Sequence, residues 1–311
     1  MSEATSVPVS RPVSVDWLAL GAALITVVLW ASAFVGIRAA ATDLSPGALA
    51  VGRLLVGSVA LGVVVAFRRP AWPSRRDLAW IGACGVVWFG AYNVVLNAAE
   101  QLVDAGTAAM LVNLGPILIA IFAGLFLGEG FPPRLVAGSA IAFAGTIVIG
   151  LATGGVSADE AAPIGIILCV VAALAYAAGV TIQKPILGRV AALEVTWLAC
   201  CVGALVTLPF LPQLIGELPR APISAVGWLV YLGIFPTAIA FTTWAFALNR
   251  TTAGRLGSTT YLVPPVAILM AWLILGEVPP LVALLGGLLC IGGVIVARSR
   301  GQGPMRSVPP K

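Results

Sequence analysis

The chain has 311 residues, 60% of them hydrophobic and 9% charged, and its mean hydropathy is +1.07. A soluble domain keeps about a quarter of its residues charged, so this composition specifies a polytopic membrane protein and argues against a nucleic-acid partner despite the net charge of +5. Histidine is absent, which removes the commonest general base and metal ligand and, with them, Ser-His and Cys-His catalysis and His-pair zinc sites.

Residues 1–16 are polar and contain proline, and a disordered cytoplasmic N-terminus is expected there. The apolar run from Trp17 to Ile37, closed by Arg38, is the first predicted membrane helix, α1. It contains Ala31-Ser32-Ala33, which resembles a signal-peptidase site, but a cleavable apolar core is usually about 7 to 15 residues and this run is longer. Runs of spanning length, about 20 residues each, follow as α2 (Pro46 to Phe67), α3 (Leu78 to Ala98), α4 (Gly106 to Leu127) and α5 (Pro132 to Leu151). Thr153 to Pro163 is rich in Gly, Ser and acidic residues and reads as a linker. The second half supplies α6 (Ile164 to Gln183), α7 (Ala192 to Leu211), α8 (Ser224 to Leu248), α9 (Gly254 to Leu275) and α10 (Pro280 to Ala297). The expected organisation is a five-helix repeat over 17–152, the linker over 153–163, a second five-helix repeat over 164–298 and a cytoplasmic tail over 299–311.

The two halves repeat each other. NLGPILIAIFAGLFLGE, Asn113 to Glu129, recurs as YLVPPVAILMAWLILGE, Tyr261 to Glu277, at an offset of 148 residues. The same offset puts Trp80 on Trp228, Gly85 on Gly233, Pro116 on Pro264, Gly138 on Gly286 and Gly145 on Gly293 without a gap. Loop charge alternates along the chain. One set of loops holds Arg68, Arg69, Arg75, Arg76, Arg134, Lys184, Arg189, Arg250 and Arg255, and the other holds Asp43, Glu100, Asp104, Asp159, Glu160, Glu217 and Glu277, with Arg220 as its clear base. Cytoplasmic loops carry the excess of Lys and Arg, so both termini are expected in the cytoplasm. Five spans per half is an odd number, so the second half enters the membrane inverted. The expected fold is all-α, with ten transmembrane helices forming two inverted five-helix repeats around a central cavity.

Polar side chains within hydrocarbon persist where they face a cavity or a neighbouring helix. The candidate lining is Trp30, Ser32 and Phe34 on α1, Trp88, Tyr92, Asn93 and Asn97 on α3, Asn113 on α4, Tyr176 and Gln183 on α6, Thr243 and Trp244 on α8, and Tyr261 on α9. Midspan aromatics either line a cavity or pack, hydroxyls serve as glue between helices, and the asparagines hold a substrate's carboxylate or amine, or each other. Arg53, about two turns into α2, either snorkels or pairs with a carboxylate such as Glu100 or Asp104. Arg38 either attracts an anion at the outer mouth or anchors a helix end. Pro116 and Pro264 bend α4 and α9 at matched places and are candidate hinges. Glu129 and Glu277 close those helices and read as capping and anchoring residues. Gly138, Gly145, Gly286 and Gly293 read as packing positions. The five cysteines lie in apolar runs with no C-x-x-C pairing, and no metal, cofactor or catalytic residue is expected. No Asp or Glu falls near the middle of a span, where proton- or sodium-coupled carriers commonly place one, so facilitated diffusion or exchange is expected.

The paired Pro-to-Gly-Glu motifs (Pro116 to Glu129 and Pro264 to Glu277), the run Trp30-Ala31-Ser32-Ala33-Phe34 and the A-x-x-R pattern at Ala50 to Arg53 resemble the drug/metabolite transporter superfamily, in its ten-helix EamA-type branch. That resemblance implies a bacterial inner-membrane exporter of amino acids and other small metabolites working by alternating access, with α1, α3, α4, α6, α8 and α9 around the cavity. Aromatic amino-acid exporters are the nearest analogy. The implied partners are a small-molecule substrate and the lipid bilayer, for a monomer or homodimer. The rival within transport is a broad drug or organic-cation carrier, which would want an acidic cavity. A membrane-embedded enzyme or sensor would want a catalytic His, paired intramembrane Asp residues or an appended soluble domain.

Overall fold

The computed structural model describes residues 16–68, 72–103, 105–153, 162–275 and 278–299. The expected disordered N-terminus apart from Asp16, most of the linker, the tail apart from Ser299, Asp104 and Glu277 lie outside the described residues. The helices are α1 (Trp17–Ala40), α2 (Pro46–Arg68), α3 (Arg75–Leu102), α4 (Ala105–Val112 and Gly115–Phe126), α5 (Pro133–Thr153), α6 (Ala162–Ile186), α7 (Ala192–Glu217), α8 (Ile223–Arg250), α9 (Ala253–Thr259 and Val263–Leu275) and α10 (Leu281–Arg298). Eight of these, all but α4 and α9, are long and apolar enough to cross a membrane. The protein is an all-α, polytopic membrane protein, and large apolar side chains such as Phe67, Phe126 and Leu273 face outward, as lipid rather than water requires.

Local chemistry sets the helix starts. Asp16 Oδ1 accepts from the Ala19 N–H at 3.0 Å, and Ser74 Oγ accepts from the Asp77 N–H at 3.1 Å, each satisfying an orphan donor of a first turn. Interruptions within helices follow the repeat. α3 and α8 carry π-helical stretches at Gly85–Ala91 and Gly233–Ile239, seven residues each and at the same 148-residue offset. A π turn loosens the backbone ladder by one residue, which in α8 accommodates Pro236, a residue without an N–H. Side chains answer the displaced carbonyls. Thr237 Oγ1 donates to the Leu232 carbonyl at 2.8 Å, and Asn93 Nδ2 donates to the Phe89 carbonyl at 2.8 Å.

The bends anticipated in α4 and α9 coincide with local interruptions of the α-helix. α4 is interrupted at 113–114, and α9 by a 3₁₀ turn at Thr260–Leu262. Pro116 and Pro264 lie in the first turn of the segment that follows each break, where the missing N–H has no intrahelical partner to lose. α7 continues to Glu217, beyond the end expected at Leu211, through a 3₁₀ turn at Leu208–Phe210.

α5 and α10 form the tightest helix pair. A Cβ built on Gly138 would stand 2.3 Å from Ala297 N, and one on Gly293 would stand 2.4 Å from Ala142 N, so the backbones touch where only glycine fits. One end of the bundle is basic and tied across helices. Arg189 pairs with Asp77 at 2.6 Å, Arg250 pairs with Asp16 at 3.0 Å, and Lys184 Nζ donates to the Leu248 and Thr251 carbonyls. Across the opposite, acidic end, the Ser45 N–H donates to Glu217 Oε2 at 2.8 Å.

Candidate functional site

Within the bundle lies a cavity of about 670 Å³, counted out to its mouth, with walls drawn from α1, α2, α3, α4, α6, α8 and α9. Trp30 on α1 is the hub of its aromatic wall. Its ring centroid lies 5.1 Å from Trp244, 5.4 Å from Phe241, 5.9 Å from Tyr176 and 6.4 Å from Trp88. Trp88 stacks on Tyr176 at 5.5 Å and meets Phe241 at 5.0 Å. Edge and offset contacts of this kind add about 0.5 to 1.5 kcal/mol per pair beyond burial, so the wall is fixed by its own members. Backbone approach makes room for it: a Cβ on Gly179 would stand 2.4 Å from Trp88 Cβ.

Of the candidate lining, Trp30, Phe34, Trp88, Tyr92, Asn93, Asn113 and Tyr176 border the cavity, and Pro116 and Arg53 border it as well. The others lie elsewhere. Ser32 bonds the Leu29 carbonyl and Tyr231 Oη, both within 2.8 Å. Thr243 Oγ1 meets Thr26 Oγ1 at 2.8 Å, which is helix glue between α8 and α1. Asn97 Nδ2 donates to the Pro46 carbonyl at 3.2 Å, joining α3 to α2. Gln183, Trp244 and Tyr261 are fully buried in packing outside the lining, Trp244 directly behind Trp30. Arg38 is exposed at the end of α1, and Pro264 is buried outside the lining.

On α3 the cavity face is Trp88, Tyr92, Asn93, Leu96 and Glu100, not the Asn93-Asn97 stripe. At about 100° per residue, Asn97 sits to one side of Asn93 and the pair Leu96 and Glu100 to the other, and the cavity takes the second side. Phe241, Thr260 and Val263 complete the wall. Phe241 stands 148 residues after Asn93, and Thr260 the same distance after Val112. Both partners of each pair border the cavity, so the internal repeat is the signal that finds Phe241 from Asn93.

An arginine and a carboxylate share this wall. Arg53 is only 4% exposed, and its Nε donates to Thr237 Oγ1 at 3.1 Å. The Oε1 of Glu100 is shut from solvent without a hydrogen-bond partner. Arg53 and Glu100 do not pair as the sequence suggested: among the described residues the ion pairs within 4.0 Å are Arg189 with Asp77 and Arg250 with Asp16. No group of three or more His, Cys, Asp or Glu that could hold a metal occurs among the described residues.

The family model of the EamA-like transporter family matches residues 17–151 and again 163–299. The chain belongs to the EamA-like transporter family. This transporter is 38% identical over 288 residues, 93% of its length and 96% of the relative's, to a protein of Streptantibioticus cattleyicolor named probable terminal-alkyne amino-acid exporter. It is 33% identical to the uncharacterized transporter YdfC of Bacillus subtilis over 86% of each chain. With the aromatic amino acid exporter YddG of Ancylobacter novellus it shares 30% identity over 78% of its own length and 82% of the relative's. A solved protein crystal structure with 23% identity superimposes with a TM-score of 0.75 over 92% of this transporter and 97% of that chain, a likeness of fold. The family makes the protein a transporter rather than an enzyme, with a small molecule as its substrate and lipid around it.

Proposed function

We propose that this transporter exports neutral amino acids, aromatic ones among them, and similar small metabolites across the bacterial cytoplasmic membrane by alternating access. The observation that carries the reading is the cavity walled by Trp30, Trp88, Tyr176 and Phe241. It has the usual make-up of a small-molecule site, an apolar wall with few polar groups. The names of two relatives, a probable terminal-alkyne amino-acid exporter and an aromatic amino acid exporter, support the same substrate class. Excess Lys and Arg assigns the basic end and both termini to the cytoplasm. On that orientation the cavity, bordered by Glu100, Arg53 and Asn113, lies toward the outer half of the bundle, while the basic end is tied across helices. Passage is facilitative or by exchange, and the breaks of α4 and α9 beside Pro116 and Pro264 are where the helices flex between states.

Glu100 alone would favour an organic cation, the rival substrate class. Arg53 on the same wall opposes a lone cation and favours a substrate that carries both charges. Purified protein in liposomes preloaded with unlabelled amino acid should accumulate the labelled form by counterflow, saturably and across several neutral amino acids. Counterflow of organic cations and of no amino acid would overturn the reading in favour of its rival.

A further inference from the structure

Arg53 and Glu100 are opposite charges on the wall of one cavity, and neither is paired with protein among the described residues. An uncompensated charge away from water is costly, and the cheapest arrangement for two such side chains would be to meet. They do not. Arg53 is held by its Nε on Thr237, whose own hydroxyl proton goes to the Leu232 carbonyl just ahead of the π stretch, so among the described residues the guanidinium is fixed through Nε alone. Glu100 keeps one oxygen buried and unpartnered. Arg53 reaches Thr237, which packs beside Gly57 one turn farther from the acidic end, while Glu100 stands near the acidic end of α3, so the two charged groups border the cavity at different depths.

We infer that Arg53 and Glu100 are the two poles of a zwitterion site: the Arg53 guanidinium receives the substrate's carboxylate and the Glu100 carboxylate receives its ammonium group. This rests on the amino-acid reading above and makes it more specific. A planar fork of donors matches a carboxylate in bidentate fashion, and a carboxylate accepts from an ammonium at full charge. The gap of more than 4.0 Å between the two protein charges is the space a bound α-carbon occupies with its two charged groups, while Trp88, Tyr176 and Phe241 farther along the cavity receive the side chain. The site therefore selects free α-amino acids, with tolerance at the side chain and strictness at both ends of the backbone.

The test uses purified full-length protein and follows quenching of its own tryptophan fluorescence by L-phenylalanine, L-phenylalaninamide and N-acetyl-L-phenylalanine, and by the corresponding leucine set. The amide lacks the carboxylate and the N-acetyl form lacks the ammonium, so wild type should bind each of them at least about tenfold more weakly than the free acid. R53Q should lose the discrimination against the amide and keep that against the N-acetyl form, and E100Q should do the reverse. R53K and E100D, which keep the charges, should keep both preferences. The wild-type series decides without any variant: equal binding of all three forms overturns the zwitterion site and leaves amino-acid export standing. An E100Q protein that still rejects the N-acetyl form as strongly as wild type also overturns it. Wild type that neither binds these free acids nor exchanges any amino acid in liposomes overturns the export reading, and the site with it.

Discussion

The carboxylate of Glu129, at the end of α4, accepts a hydrogen bond from the backbone N–H of Ala253, the first residue of α9, at 2.7 Å, and its second oxygen accepts from Gly254 at 3.0 Å. The residue caps a helix of the other repeat. Gly128 makes this possible, because its φ of +69° turns the chain past α4, and the Glu129 N–H then returns to the Ala123 carbonyl at 3.2 Å in a left-handed helix cap. A carboxylate on two orphan N–H groups at a helix start gains from both charge-assisted bonding and the helix dipole.

E129A should therefore loosen the basic end locally. Bonds to charged groups contribute about 1.5 to 3 kcal/mol each, so amide exchange in the segment Ala253–Thr259 should speed up by about tenfold or more, with little change in α5 or α10. Hydrogen–deuterium exchange read by mass spectrometry checks this. Unchanged protection at 253–254 would show that the clasp does not hold α9.

Two adjacent glycines on α10 should respond oppositely to one added methyl. Gly293 faces Ala142 N, and Gly292 has nothing within 4 Å of its would-be Cβ. G293A forces α5 and α10 apart and should cost about 1 to 3 kcal/mol, as overpacking does. G292A should be neutral or gain about 0.5 to 1 kcal/mol from helix propensity. Thermal melts in detergent should rank G292A at or above wild type and G293A well below it.

T237V removes the one hydrogen bond that Arg53 makes to protein among the described residues and strands the Leu232 carbonyl that Thr237 now satisfies. Loss of a partner for a buried charged donor costs about 1 to 3 kcal/mol. The variant should melt lower than wild type and bind amino acids more weakly. Thr237→Ser, which keeps the hydroxyl, should restore both. A T237V protein as stable as wild type would mean that Thr237 contributes no net support.

The all-α membrane fold and the repeat were legible because each rests on a signal that survives without coordinates: apolar length and a fixed offset. The aromatic wall was half legible. Trp30, Trp88 and Tyr176 stand at midspan where no membrane interface explains them, but nothing about Trp244 distinguishes a ring that lines from one that packs behind Trp30. The face of α3 was misread at Asn97 because two asparagines four apart look like one stripe, whereas the orientation of the helix is set by its packing on α2, where Asn97 finds the Pro46 carbonyl. The π stretches left no sequence signal beyond Pro236, since an extra residue per turn changes hydrogen bonding and not composition. Arg53 and Glu100 suggested an ion pair because opposite charges in lipid usually meet. Arg53 instead bonds Thr237, a hydroxyl 184 residues away from it in sequence.

The breaks in α4 and α9 fall at the same place in each repeat, at 113–114 and at Thr260–Leu262, just ahead of Pro116 and Pro264. In an inverted repeat the two states of a carrier exchange the roles of the halves, so one break should be more open while the other is tighter. A proline after a break keeps the gap from closing into continuous helix, because it offers no N–H to the carbonyl four residues back and clashes with it. P116A and P264A should each allow their helix to heal by a turn, leaving the melting temperature unchanged or higher while amino-acid counterflow falls severalfold. The double variant should fall further than either single one. Counterflow at the wild-type rate in all three would remove the hinges and leave the prolines as helix-start residues alone.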